Sequence, residues 1–163
     1  MSKIKSLEEL FLEELKDLYN AENQLVAALP RIAEATESME LKFAINEHWE
    51  QTKIHVHRLE EAFATLGEKP AQVTCKAMRG LIDESRDVLH KSDRCAARDA
   101  GIIGAAQRVE HYEIAAYGTA QSHAAMLGHN RIEALLNETL VEEKEANAKL
   151  TDIAEGSVNL QAR

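Results

Sequence analysis

Turn-forming residues are scarce in this sequence. It has seven glycines and two prolines among 163 residues, under half the usual combined share of about 12%. A β-sandwich or barrel needs a turn every ten residues or so, and this supply excludes one. No apolar run approaches the 18 or so residues of a membrane span. The opening stretch MSKIKSLEELFLEEL has acids where a signal peptide would have its apolar centre. The two cysteines, Cys75 and Cys95, show no C-x-x-C spacing. With no export signal, they are expected to be free thiols in a reducing cytoplasm. Both stand near expected helix starts, where a thiol pKa can fall, so a redox role is an alternative. Bases are outnumbered, 19 against 28 acids, for a net charge of −9. A phosphate-tracking surface wants the opposite sign, so neither nucleic acid nor membrane is an expected partner. There is no glycine-rich phosphate loop, no H-E-x-x-H zinc motif and no serine nucleophile elbow.

What the sequence has in abundance is alanine (25), glutamate (22) and leucine (18), all strong helix formers. The pattern predicts one all-α domain over 1–163, with helices at about 6–37, 39–66, 74–91, 93–127 and 131–155. Ser6-Leu7-Glu8-Glu9 is a capping box for the first. Pro30 is expected to kink or split that helix. Gly67-Glu68-Lys69-Pro70 stops the second. Ser92-Asp93 is expected to cap the fourth helix, and Asn130, with Glu133 three residues on, the fifth. The last seven residues read as a frayed tail. The first and last connections between long helices are short and predict antiparallel hairpins, whereas about 25 residues separate the second long helix from the third. Two hairpins joined by one long crossover is the ferritin-like form of the four-helix bundle.

Each long helix carries an apolar stripe at steps of three and four, and the informative residues interrupt it. The first stripe runs Phe11, Leu15, Leu18, Glu22, Leu25. The second runs Leu41, Ile45, His48, Thr52, His55, Leu59, with Gln51 at its margin. The third runs Ile103, Ala106, Glu110, Glu113, Tyr117, Ala120. The last runs Ile132, Leu135, Thr139, Glu143, Ala146, Leu150. Glu22 and Glu113 each lie about 16 residues before their hairpin turn; Gln51 and Glu143 lie about 13 and 14 after theirs. At 1.5 Å per residue these heights agree to within about one helical turn. A polar group from every helix therefore meets the axis in one layer.

Buried carboxylates must be protonated, paired or neutralised by cations. No lysine or arginine falls in that layer, although Lys53 comes near. Hard oxygen ligands with one or two imidazoles suit Fe or Mn, and carboxylates can bridge two such ions. The expected metal ligands are Glu22, His48, Glu110, Glu113 and Glu143. His55 is a weaker candidate, and either histidine could instead be a core residue satisfied by a neighbouring carboxylate. Tyr117 is expected to pack and hydrogen-bond a ligand rather than to be one. His57, His90, His111, His123 and His129 are expected to be solvated. The acidic faces around Glu8 to Glu14 and Glu133 to Glu145 (Glu142 among them) read as exposed helix surface.

Three segments carry a likeness to a known family: YNAENQL at 19–25, VEHYEIAAYG at 109–118 and Glu142-Glu143-Lys144. They resemble the YciF/YciE group of bacterial ferritin-like stress proteins, over essentially the whole chain. The resemblance implies a ferritin-like bundle, a cytoplasmic homodimer and a stress-response setting. It also implies kinship with rubrerythrins and manganese catalases, whose dinuclear sites act on peroxide or dioxygen. Glu110-x-x-Glu113 is similar to the rubrerythrin third-helix pattern. Members of the wider superfamily carry Glu-x-x-His on the second and fourth bundle helices. Here Gln51 stands where that glutamate is expected, and Ala146 follows Glu143 by three. Glu50 is a conceivable substitute, and one of the two metal positions could be weakened. The expectation is a dinuclear Fe or Mn carboxylate protein consuming peroxide in a catalase- or peroxidase-like reaction. The alternatives are a non-catalytic dimer with a degenerate site, or an iron store, which would need a closed cage.

Overall fold

The computed structural model describes residues 3–163. Its long helices are α1 (Leu7–Ala35), α2 (Met39–Thr65), α3 (Lys76–Lys91), α4 (Ala96–Met126) and α5 (Asn130–Ile153). A π-helical turn, Ala154–Val158, and a short α6, Asn159–Gln161, continue α5. The tail expected to fray is thus helical, because Val158 is buried in the same cluster as Leu150 and Ile153. α1 packs on α2 and α4 on α5, while α2 against α5 and α1 against α4 complete the bundle. The crossover helix α3 lies across α4 and α1.

Ser6 caps α1 as its sequence predicts, its hydroxyl accepting from the Glu9 amide at 3.1 Å. Pro30 neither splits nor ends the helix. Proline has no N–H for the carbonyl four residues back, Val26, and that carbonyl instead accepts from the Trp49 indole of α2 at 3.0 Å. α2 ends at Gly67 and α4 at Gly128, both in the left-handed region (φ 72° and 76°). In each case the amide after the glycine bonds back to a carbonyl of the last turn, a Schellman closure.

Two expected caps fall elsewhere. Ser92 closes α3, donating to the Val88 carbonyl at 2.6 Å, and α4 starts only after Cys95. His129, not Asn130, precedes α5, its ring stacked on Phe11 at 6.0 Å. The first turn of α4 instead secures the α1–α2 hairpin. Buried Asp99 accepts from the Glu37 amide at 3.1 Å and the Ser38 amide at 2.7 Å. Arg94 and Arg98 donate to the Glu34 and Ala35 carbonyls that end α1.

Cys75 is buried and Cys95 exposed, and both are free. Cys75 caps α3, but burial pushes its thiol pKa up, against the fall its helix-start position suggested. His57, His90 and His111 are exposed as expected. His123 and His129 are not freely solvated: both are half-buried, His123 paired with Glu14 at 2.7 Å.

The core is divided. One apolar cluster gathers Leu25, Leu29, Leu41, Ile45, Met78, Ile103 and their neighbours towards the α1–α2 turn. The other gathers Phe11, Leu15, Leu59, Phe63, Tyr117 and Ile132 towards the opposite end. Between them lies a polar layer.

Candidate metal centre

The apolar stripes turn the same face of each helix inward, so the residues interrupting them meet on the axis. Glu22, His55, Glu113 and Glu143 are 0% exposed, Glu110 2% and His48 8%. All five residues expected as ligands therefore lie in this layer, with His55 beside them. His48 Nε2 stands 3.5 Å from Glu110 Oε1 and 3.9 Å from Glu143 Oε2. His55 Nδ1 stands 3.0 Å from Glu143 Oε1 and 3.4 Å from Glu22 Oε1. The Tyr117 hydroxyl donates to Glu22 Oε1, the supporting role expected of it.

Two groups of donor atoms are each gathered within 4.8 Å: His48, Glu110, Glu113 and Glu143 in one, and Glu22, His55 and Glu143 in the other. Glu143 belongs to both. Eight of these buried nitrogen and oxygen atoms lack a hydrogen-bond partner, including both oxygens of Glu113 and of Glu143. Among the described residues, no lysine or arginine pairs with any of the four carboxylates. Lys53 is turned away, over the Trp49 ring and paired with Glu50 at 2.6 Å. Glu50 is therefore no substitute ligand.

The absence of cationic side chains shows in the titration of the metal-free protein. Burial, then the charge of Glu143, raises Glu110 well above the usual carboxyl range. Burial, then Glu143 and Glu22, does the same to Glu113. Burial alone would lower His55, but Glu22, Glu142 and Glu143 together push it up from 6.5 to about 12. Burial alone would raise Glu143, yet His55 and His48 hold it below the usual range. Protons fill the places that cations would take. Clustered carboxylates with two imidazoles, rich in unpartnered lone pairs, fit a pair of Fe or Mn ions.

Behind His55 stands a charged pair that the sequence did not announce. Glu142 Oε2 accepts from His55 Nε2 at 2.8 Å, and Arg58 clamps both Glu142 oxygens at 2.5 and 2.9 Å. In the metal-free protein both ring nitrogens carry protons; if a cation displaces the one on Nδ1, the other stays on Nε2 and the Nδ1 lone pair faces Glu22 and Glu143. This is how an outer carboxylate sets the tautomer of a metal-binding imidazole. The hydrogen bond from Arg58, then that from His55, lowers Glu142 to about 2. Glu142 was read as exposed surface; its position beside Glu143 and the facing Arg58 were the available signals.

Residues 6–163 match a family described as a domain of unknown function, DUF892. A curated relative, Protein YciF of Escherichia coli K12, is 41% identical over 160 residues, covering 98% of this chain and 96% of that protein. The chain belongs to the DUF892/YciF family. The solved structure of the E. coli stress protein YciF superposes with a TM-score of 0.92 at 41% identity, over 96% of this chain and 99% of that one. A Rhodopseudomonas palustris relative, YcfI, described as a putative structural protein, gives 0.89 at 41% identity, over 91% and 95%. A ferritin-like, diiron-carboxylate protein of Bacillus anthracis gives 0.70 at 15% identity, over 92% and 99%, which shows a shared fold.

The fold explains the departures from paired Glu-x-x-His motifs. The fully buried α2 residue three before His55 is Thr52, not Gln51. Thr52 turns its hydroxyl back to the His48 carbonyl at 2.8 Å. His55 of α2 and Glu143 of α5 are the buried pair that face each other here, 3.0 Å apart. Ala146 lines a cavity shared with His48 and Glu110.

Proposed function

We propose that this layer holds two metal ions, Fe or Mn, and that the protein consumes hydrogen peroxide under stress. The observation that carries the reading is the set of eight buried donor atoms without partners, grouped around Glu143. His48, Glu110, Glu113 and Glu143 would hold one ion; Glu22, His55 and Glu143 the other. A bound pair would supply two-electron redox chemistry, one hydrogen peroxide being reduced to two waters and a second returning the electrons as it is oxidised to dioxygen. The chain's own residues do the rest. Arg58 and Glu142 hold His55 in one tautomer. Tyr117 orients Glu22. The apolar clusters close the layer above and below. The stress setting is carried over from the E. coli relative, described as a stress protein; a cytoplasmic homodimer belongs to this proposal on the family resemblance alone. Among the described residues, no helix is long and apolar enough to cross a membrane.

Elemental analysis of the purified protein, followed by peroxide consumption before and after removal of metal, tests the reading. Fe or Mn near two per chain, with turnover that depends on it and is lost in Glu143→Ala, is expected. A loaded protein without turnover supports the second reading, a non-catalytic dimer with a residual site. Thr52 and Ala146, each in place of a ligand, favour that alternative.

A further inference from the structure

The geometry points to a built substrate pocket beside the metal centre, for neutral alkyl hydroperoxides rather than hydrogen peroxide alone. A cavity of about 210 Å³ reaches His48 and Glu110 from the surface between α2 and α5. An engineered cavity of about 150 Å³ already holds benzene, so the space is far larger than hydrogen peroxide needs. Its walls are mostly apolar, Leu29, Ile45, Ala106, Ala146 and Leu150, with the neutral Gln51 amide among them. A second apolar space of about 30 Å³ shares Leu29, Ile45, Ala106, His48 and Glu110 and extends towards Ile82 and Ile102. At the inner end, His48 Nδ1 and Glu110 Oε2 are buried without partners. At the outer end, Glu47 pairs with Lys149, leaving Glu145 as uncompensated negative charge. At the mouth the unpaired charge of Glu145 disfavours an anion. A neutral molecule with a small branched alkyl body and a polar O–O–H group matches the apolar walls and the polar inner end.

The pocket exists because residue 146 is alanine; a larger side chain there would fill it. This inference rests on the reading of the cluster as a peroxide-reducing centre. The reaction is ROOH + 2 e⁻ + 2 H⁺ → ROH + H₂O. The O–O bond breaks, the alkyl oxygen leaves as alcohol and the other oxygen as water. Two equivalents of an external one-electron donor, such as ascorbate, supply the electrons, and solvent supplies the protons.

The test has a binding arm and a kinetic arm, both on the full chain with its metal content measured first. Crystals soaked in tert-butanol, the unreactive product alcohol, are expected to show it in the cavity with its hydroxyl towards His48 and Glu110. With ascorbate as donor, the ratio of kcat/KM for tert-butyl hydroperoxide to that for hydrogen peroxide is expected to fall at least tenfold in Ala146→Leu. The soaked variant should also lose the alcohol. A protein that binds no metal but takes up tert-butanol upholds the pocket while overturning the peroxide reading. A loaded protein that turns over hydrogen peroxide, leaves the cavity to water and keeps its substrate ratio in Ala146→Leu overturns this inference alone.

Discussion

His55 is a ligand candidate only because of what lies behind it. The hydrogen bond to Glu142 fixes which nitrogen faces the cluster, and Arg58 fixes Glu142. Glu142→Gln keeps the shape and removes the charge, and an amide can present either end to the ring. Metal affinity is therefore expected to fall about 10- to 100-fold, measured by competition with a chromophoric chelator; unchanged affinity would remove Glu142 from the centre's support. The same residue gives a pH prediction. Its folded pKa of about 2 lies below the ordinary 4.5. A depressed acid binds fewer protons folded than unfolded, so its contribution is complete above about 4.5. It is lost as pH falls from there towards 2. Urea midpoints of metal-free protein between pH 2 and 5 should fall with acid less steeply in Glu142→Gln than in the parent. Neither residue of this pair was legible in the sequence, because a glutamate next to a ligand on a helix points about 100° away from it. Only the arrival of Arg58 from another helix gives that half-buried side chain a partner.

Elements explain which sequence signals could be trusted. The four stripes were readable in phase, since a period of 3.6 depends only on each helix facing one core, although on α2 the buried residue of the layer is Thr52 and Gln51 is half-buried. Glu22, Glu110, Glu113 and Glu143 follow from phase alone. The caps were not so readable. Ser92 and Asn130 are both good capping residues, yet Ser92 bonds back to α3 and α5 begins after His129. Local preference of about 1 kcal/mol is easily outvoted by packing. Pro30 shows the same from the other side: a helix breaker is tolerated because Trp49 serves the carbonyl it strands. Trp49→Phe keeps the ring's apolar body but strips that donor. It should cost about 1–3 kcal/mol in urea denaturation, and a neutral result would mean water serves Val26 equally well. Gly101 is where α3 and α4 come closest. A Cβ there would lie 2.7 Å from Val88 Cγ1, and a valine in a helix has little rotameric freedom to retreat. Gly101→Ala gains about 1 kcal/mol of helix propensity but incurs a clash of about 1–3 kcal/mol. Net destabilisation is expected, reversed when Val88→Ala is combined with it, so the two changes should be non-additive in a double-mutant cycle.

For the whole molecule, the central layer sets how stability depends on pH, and metal should invert that dependence. Without cations, Glu110 and Glu113 have folded pKa values well above 4.5. Groups of this kind bind more protons folded than unfolded, so stability falls as pH climbs from about 4.5 through their folded values. His55 acts in the same direction over a higher window. Its contribution is full below 6.5 and declines as pH rises from there towards about 12. The depressed Glu142 and Glu143 oppose this only under acid conditions, below about 4.5. The metal-free protein should therefore unfold more readily at pH 8 than at pH 5.5. Cations bind the deprotonated ligands, and their affinity grows as protons leave. One fixed Mn(II) concentration, 100 times the dissociation constant at pH 8, should add about 2.7 kcal/mol there and less at pH 5.5, where protons compete for the ligands. Denaturant midpoints at the two pH values, with and without Mn(II), should change order. Calorimetry in buffers of different ionisation enthalpy should register proton release on loading. If the midpoints move in parallel and no protons leave, the carboxylates already have partners and the layer is not built for ions. The stripes showed acids converging in a layer that no lysine or arginine shares in phase; they could not show where Lys53 turns, and only the fold takes it away over Trp49 and Glu50.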